Sequence, residues 1–204
     1  MSDFASTAAY QRLPGWVLGF HGCDREVGLS VLNHPDRHLK PSRNAYDWLG
    51  EGIYFWENDP VRALEFAREG LAGRVTRGTI RKPFVIGAVI DLGLCCNLFD
   101  QIALQELRSA HAALQDVYAG AELPLPTNGR GQLVRPLDRL VIEFMHTLRE
   151  SVSEDAVLPP YQTVRAGFSE GRPLFEGTTI TEKHHIQIAV RDPACIKGYF
   201  LPRP

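Results

Sequence analysis

"LGEGIYFWEN", residues 49–58, sets two glycines directly ahead of Ile53, Tyr54, Phe55 and Trp56. Glycine weakens a strand, whereas three consecutive aromatics suit an apolar sheet segment. A turn leading into a buried strand accounts for the pattern. So does a backbone left bare for a ligand, with an aromatic ring as its wall. On the upstream side, "WVLGFHG" (16–22) predicts a short strand ending at glycine, after a short helix or loose lead-in over 1–14. On the downstream side, Asp59 and Pro60 form an N-cap and first helical position, and Ala63, Leu64, Phe66 and Ala67 supply an apolar face.

Farther out, residues 24–34 predict a modest helix, 35–48 a proline-punctuated loop and 83–93 a nearly all-apolar strand. Leu104, Leu107, His111, Leu114 and Val117 fall on one face of a helix over 101–118. After a Pro- and Gly-rich loop (122–136), Leu137, Leu140, Val141, Phe144, Leu148 and Val152 repeat at helical spacing. "YQTVRAGF", "HIQIAV" and "CIKGYFL" read as three closing strands. Strands, then helices, then strands predict one α+β domain over 1–204, with a helical insertion at about 100–155.

With 22 basic and 24 acidic residues, the net charge of -2 gives no support to non-specific nucleic-acid or membrane binding. Cys23, Cys95, Cys96 and Cys195 have neither zinc nor disulfide spacing. His184 and His185 are strand neighbours that point to opposite faces, which argues against a metal pair. No signal-like N-terminus or membrane-length apolar run is visible, so a cytoplasmic, reduced protein is the expectation. P-loop, GxGxxG, HExxH and GxSxG patterns are absent.

"FHGC" (20–23), "GEGIYFWENDPVRALEFA" (50–67) and "QIAVRDPACIKGYFL" (187–201) together resemble the poly(ADP-ribose) polymerase and diphtheria-toxin group of ADP-ribosyltransferases. The order of the three matches that group's. The resemblance implies a split mixed or antiparallel β-sheet with flanking helices, and NAD as substrate. It implies that Gly22 binds the nicotinamide carboxamide through its backbone, that His21 bonds the adenosine ribose, and that Tyr54 stacks on the nicotinamide ring. Gly50 and Gly52 would bring the backbone close to the ligand, and Phe66 would be a second stacking ring. His21 and Tyr54 must then face the same side of the sheet. Ser42, Arg43 and Asn44 would touch the diphosphate or adenosine, with Arg43 as the charge partner.

The family's catalytic glutamate falls at Gln187, five residues before Asp192. Glutamine accepts a hydrogen bond but carries no charge. A charged bond is worth about 1.5–3 kcal/mol against roughly 1 for a neutral one, so the expected rate falls about ten-fold. That points away from chain building and toward transfer of single ADP-ribose units, as by an intracellular toxin with a protein, RNA or DNA acceptor and a neutralising antitoxin partner. Glu170, Glu176 and Glu182 lie in the loop that faces the acceptor in the family, and Glu170 is the choice for orienting it. Rival readings are an NAD glycohydrolase and a domain that binds NAD, ADP-ribose or a partner without turnover. Singly, His21 reads as a satisfied strand histidine, Tyr54 as core packing and Gln187 as a cross-strand pair.

Overall fold

The computed structural model describes residues 15–44, 46–72, 80–129, 134–151 and 158–203. The expected lead-in over 1–14 and Val152 of the last helix lie outside them. Seven strands and four helices follow in the order β1 (Trp16–Asp24), α1 (Arg25–Leu32), β2 (Ile53–Glu57), α2 (Pro60–Leu71), β3 (Pro83–Asp91), β4 (Cys95–Asn97), α3 (Gln101–Gly120), α4 (Pro136–Ser151), β5 (Thr163–Phe168), β6 (His185–Val190) and β7 (Ile196–Phe200). The fold is α+β, with all strands in one mixed sheet of order β4-β5-β6-β2-β1-β3-β7. Among the described residues only the β4–β5 pair is parallel.

Local chemistry explains the elements near the predicted motifs. Asp59 caps α2 by accepting from the Arg62 N–H at 2.8 Å, and Pro60 starts the helix. Asp24 does the same for α1, accepting from Glu26 N at 2.9 Å. The apolar stripes of α3 and α4 cover β5 and β6, packing Leu114, Ile142 and Met145 over Val164, Ala166 and Ala189. On the same face, α2 lies across β1 and β3, where Phe20, Trp56 and Ala63 form a smaller cluster. The opposite face carries Phe55, Ile86, Ile90, Ile188 and Val190, with α1 contributing Val31.

One join in the sheet is short. β1 pairs with β3 along its whole length but with β2 at only two registers, Gly19 with Glu57 and Phe20 with Trp56. β2 continues its pairing with β6 from Ile53 to Trp56. From His21 onward, β1 and β2 therefore share no ladder register. Among the described residues no helix is long and apolar enough to cross a membrane.

Candidate functional site

Each of the three quoted stretches places one residue in the middle of the sheet. His21 sits on β1, Tyr54 on β2 and Gln187 on β6, and these strands are consecutive neighbours. His21 lies where the β1–β2 ladder stops, and its Nδ1–H donates to the Tyr54 carbonyl at 2.7 Å. Burial holds the imidazole below its ordinary pKa, against a smaller upward push from that bond. The ring is thus neutral with Nε2 unprotonated, an acceptor for a hydroxyl donor.

The expectation that His21 and Tyr54 face the same side of the sheet is corrected here. Residues alternate across a strand, and His21 shares its side with Cys23 and the Phe55 ring, whose centroid is 5.9 Å away. Tyr54 packs with the cluster under α3 and α4, as does its register partner Ala189. The two residues meet through a backbone carbonyl rather than across a shared wall. The Tyr54 hydroxyl is also committed, donating to Gly50 O at 2.8 Å and accepting from Leu49 N at 3.0 Å. Burial is the main cause that raises its pKa well above normal, so it stays a neutral phenol.

Gln187 shares the Tyr54 face, directly across from Trp56. Its Oε1 accepts from the Trp48 indole N–H at 2.7 Å. That bond fixes the amide's rotamer and leaves the NH2 group and one oxygen lone pair for anything else. Trp48 is itself packed at 5.3 Å against Phe168 and beneath Arg135, 4.6 Å from its ring centre. Phe66 is half-buried and spends its face on Trp56, with centroids 4.9 Å apart.

The glycines approach the chain's own atoms closely. A Cβ on Gly22 would fall on the carbonyl oxygen of Ala63 in α2. Gly50 has φ +85, and a Cβ there would meet the carboxylate of Glu143. Gly52 exchanges backbone bonds with Ser42, at 2.7 and 3.3 Å. Asn44 Nδ2 donates to Ser42 Oγ at 2.7 Å, and the Asn44 N–H donates to Asp47. Ser42 and Asn44 therefore brace the loop ahead of β2. Arg43 points outward, 76% exposed, and pairs with Glu51 at 3.0 Å.

Glu170 lies apart from His21 and Tyr54, in an ion cluster above α2. Arg62, only 6% exposed, reaches it at 2.8 Å, and Lys183 lies 3.6 Å away. Burial pushes the carboxyl up, but Arg62, Lys183 and His185 outweigh that and hold it below its usual range. A carboxylate held this way is a weak base. Lys183 also bonds Glu69 of α2 at 2.5 Å, so both ends of the β5–β6 loop are pinned to that helix.

Sequence reasoning did not single out Trp48, Arg62, Glu143 or Arg191. His185 turns inward between Phe168 and Trp56, while His184 is exposed and bonds Ser169. No cluster of three or more metal-ligating side chains exists among the described residues. Two cavities flank the central residues without being lined by them. One of about 360 Å³ lies between α3 and α4 against Trp48, and one of about 650 Å³ is lined by Tyr161, Gln162, Arg191 and Asp192.

Compared with known protein families, curated proteins and solved structures, the chain has no significant match.

Proposed function

We propose that this chain is an NAD-dependent mono-ADP-ribosyltransferase acting on a macromolecule. One observation carries the reading: His21, Tyr54 and Gln187, which lie far apart in sequence, sit on three adjacent central strands, at the point where the sheet's ladder is interrupted. In this reaction the bond from ribose C1′ to the nicotinamide nitrogen breaks and its electron pair leaves with nicotinamide. An acceptor nucleophile then bonds to C1′ and gives up its proton. Neutral His21, on the opposite side of the sheet from Tyr54 and Gln187, would offer Nε2 to a ribose hydroxyl only where the strands part beyond the end of the β1–β2 ladder. Gln187, oriented by Trp48, would bond the 2′-hydroxyl at the reacting sugar without supplying charge. Gly22, Tyr54 and Phe66 would enclose the nicotinamide, and Ser42, Arg43 and Asn44 the diphosphate side. Glu170 would orient an acceptor only after loosening from Arg62.

A second reading, a domain that binds NAD without turnover, is favoured by the close contacts at Gly22 and Gly50 and by the uncharged Gln187. The test is incubation with NAD carrying a labelled adenosine, with and without cell lysate, following nicotinamide release and label on protein and RNA. The expected result is release that rises with lysate, with label on a macromolecule. Free ADP-ribose at a rate unmoved by lysate would identify a glycohydrolase instead. Saturable binding without release would identify the second reading, and neither binding nor release would defeat both.

A further inference from the structure

We propose that Glu143 and Arg191 form a positioning pair that sets the Gly50–Gly52 turn, and that this placement governs how tightly the dinucleotide is held. The inference rests on the NAD reading above. Glu143 stands on α4, in a stretch that carries none of the three motifs. Its Oε1 accepts the Glu51 backbone N–H, and Arg191 Nη1 lies 3.2 and 3.3 Å from its two carboxylate oxygens. The same Nη1 lies 3.5 Å from the Glu51 carbonyl oxygen. Both backbone groups of Glu51 are thereby engaged by one ion pair.

Gly50 fits this arrangement. Its positive φ and missing side chain let the Glu143 carboxylate close over the turn. The Tyr54 hydroxyl braces the turn from the other side through Leu49 and Gly50. Arg191 directly follows β6, the strand carrying Gln187, and its N–H is anchored to the Gln162 carbonyl at 2.9 Å. The pair therefore ties the turn before Tyr54 to the end of the strand that bears Gln187.

Its effect falls on geometry more than on stability. The Glu143 and Arg191 side chains are 29% and 20% exposed, and solvent reaching an ion pair weakens what it adds to stability. Displacing a wall that touches the dinucleotide equally before and during reaction, by contrast, removes uniform binding and so raises KM. The core side of α4 is filled by Ile142 and Met145, which do not depend on Glu143.

The experiment compares Glu143→Ala with Glu143→Gln, which keeps an oxygen acceptor for the Glu51 N–H. KM and kcat for nicotinamide release from NAD, the melting temperature, and hydrogen exchange of the Glu51 amide without NAD are measured. Glu143→Ala is expected to raise KM about ten-fold with kcat within about two-fold, to speed Glu51 exchange and to shift melting by only a few degrees. Glu143→Gln is expected to restore KM to within about three-fold of the parent and to protect the amide. An unchanged KM in Glu143→Ala, or equal damage to KM and melting in both variants, overturns the proposal. If the parent chain neither binds nor cleaves NAD, the NAD reading itself fails, and with it the role toward the dinucleotide. The exchange measurement still decides whether Glu143 holds the turn.

Discussion

At the level of single residues, Gln187 is the position where charge and geometry can be separated. Trp48 already donates to its Oε1, so a carboxylate there keeps the partner and gains a negative charge, which on the NAD reading would face the reacting sugar. Gln187→Glu is expected to raise nicotinamide release about ten-fold, at roughly 1.4 kcal/mol per decade, with melting nearly unchanged. An unaltered rate in steady-state kinetics would mean that the missing charge is not what limits this site. That Gln187 lies within a strand was legible from the apolar residues around it in "HIQIAV". Its role was drawn from the resemblance, which counts five residues back from Asp192. Trp48 was not legible, since it closes a polar, proline-broken stretch and reaches Gln187 only through the fold. The side of the sheet that His21 takes was equally hidden: it follows from the β1–β2 register, which sets Phe20 beside Trp56 and so turns His21 to the other face, and no residue type announces that register.

Among the elements, the glycine-flanked strand, the Asp59-capped helix and the long apolar strand all stand where their patterns predict. β4 escaped because three residues give no period, and its parallel partner Thr163–Arg165 is distant in sequence. Cys95 and Cys96 do behave as small buried residues, one entering each face's core. The α3–α4 pair holds together by more than its apolar stripes. Arg149 grips Glu106 at 2.5 and 2.8 Å, bonds the Pro159 carbonyl at 2.7 Å and lies over the Tyr161 ring. Tyr161 donates to the same carboxylate at 2.6 Å. Arg149→Met is expected to lower unfolding free energy by about 3 kcal/mol, because Glu106 loses its countercharge. A loss under about 1 kcal/mol by urea titration would show that apolar packing alone secures the two helices.

For the whole molecule, three imidazoles tie stability to pH. Burial is the chief cause holding His21, His146 and His185 below the ordinary value of 6.5, His146 falling to about 3 with Arg191 and Arg149 adding to the effect. Folded, each stays neutral, while the unfolded chain takes up protons below about pH 6.5. Stability is thus full above that pH and declines as pH falls toward each folded pKa. His146 alone contributes a slope of about 1.4 kcal/mol per pH unit. Neither of its ring nitrogens has a hydrogen-bond partner among the described residues, so leucine there forfeits no bond. Urea unfolding at pH 7.5 and 5.5 is expected to show a marked loss for the parent and a flatter response for His146→Leu. Parallel responses would refute the assignment.

The brevity of the β1–β2 join has a mechanical consequence. In the sheet, the blocks β4-β5-β6-β2 and β1-β3-β7 are joined by a pair of rungs, the Asn58 N–H to Leu18 carbonyl bond at 2.9 Å and the His21-to-Tyr54 carbonyl link. Parting the blocks beyond Phe20 costs the His21 link and no ladder bond, so this is where the sheet can yield without unzipping either half.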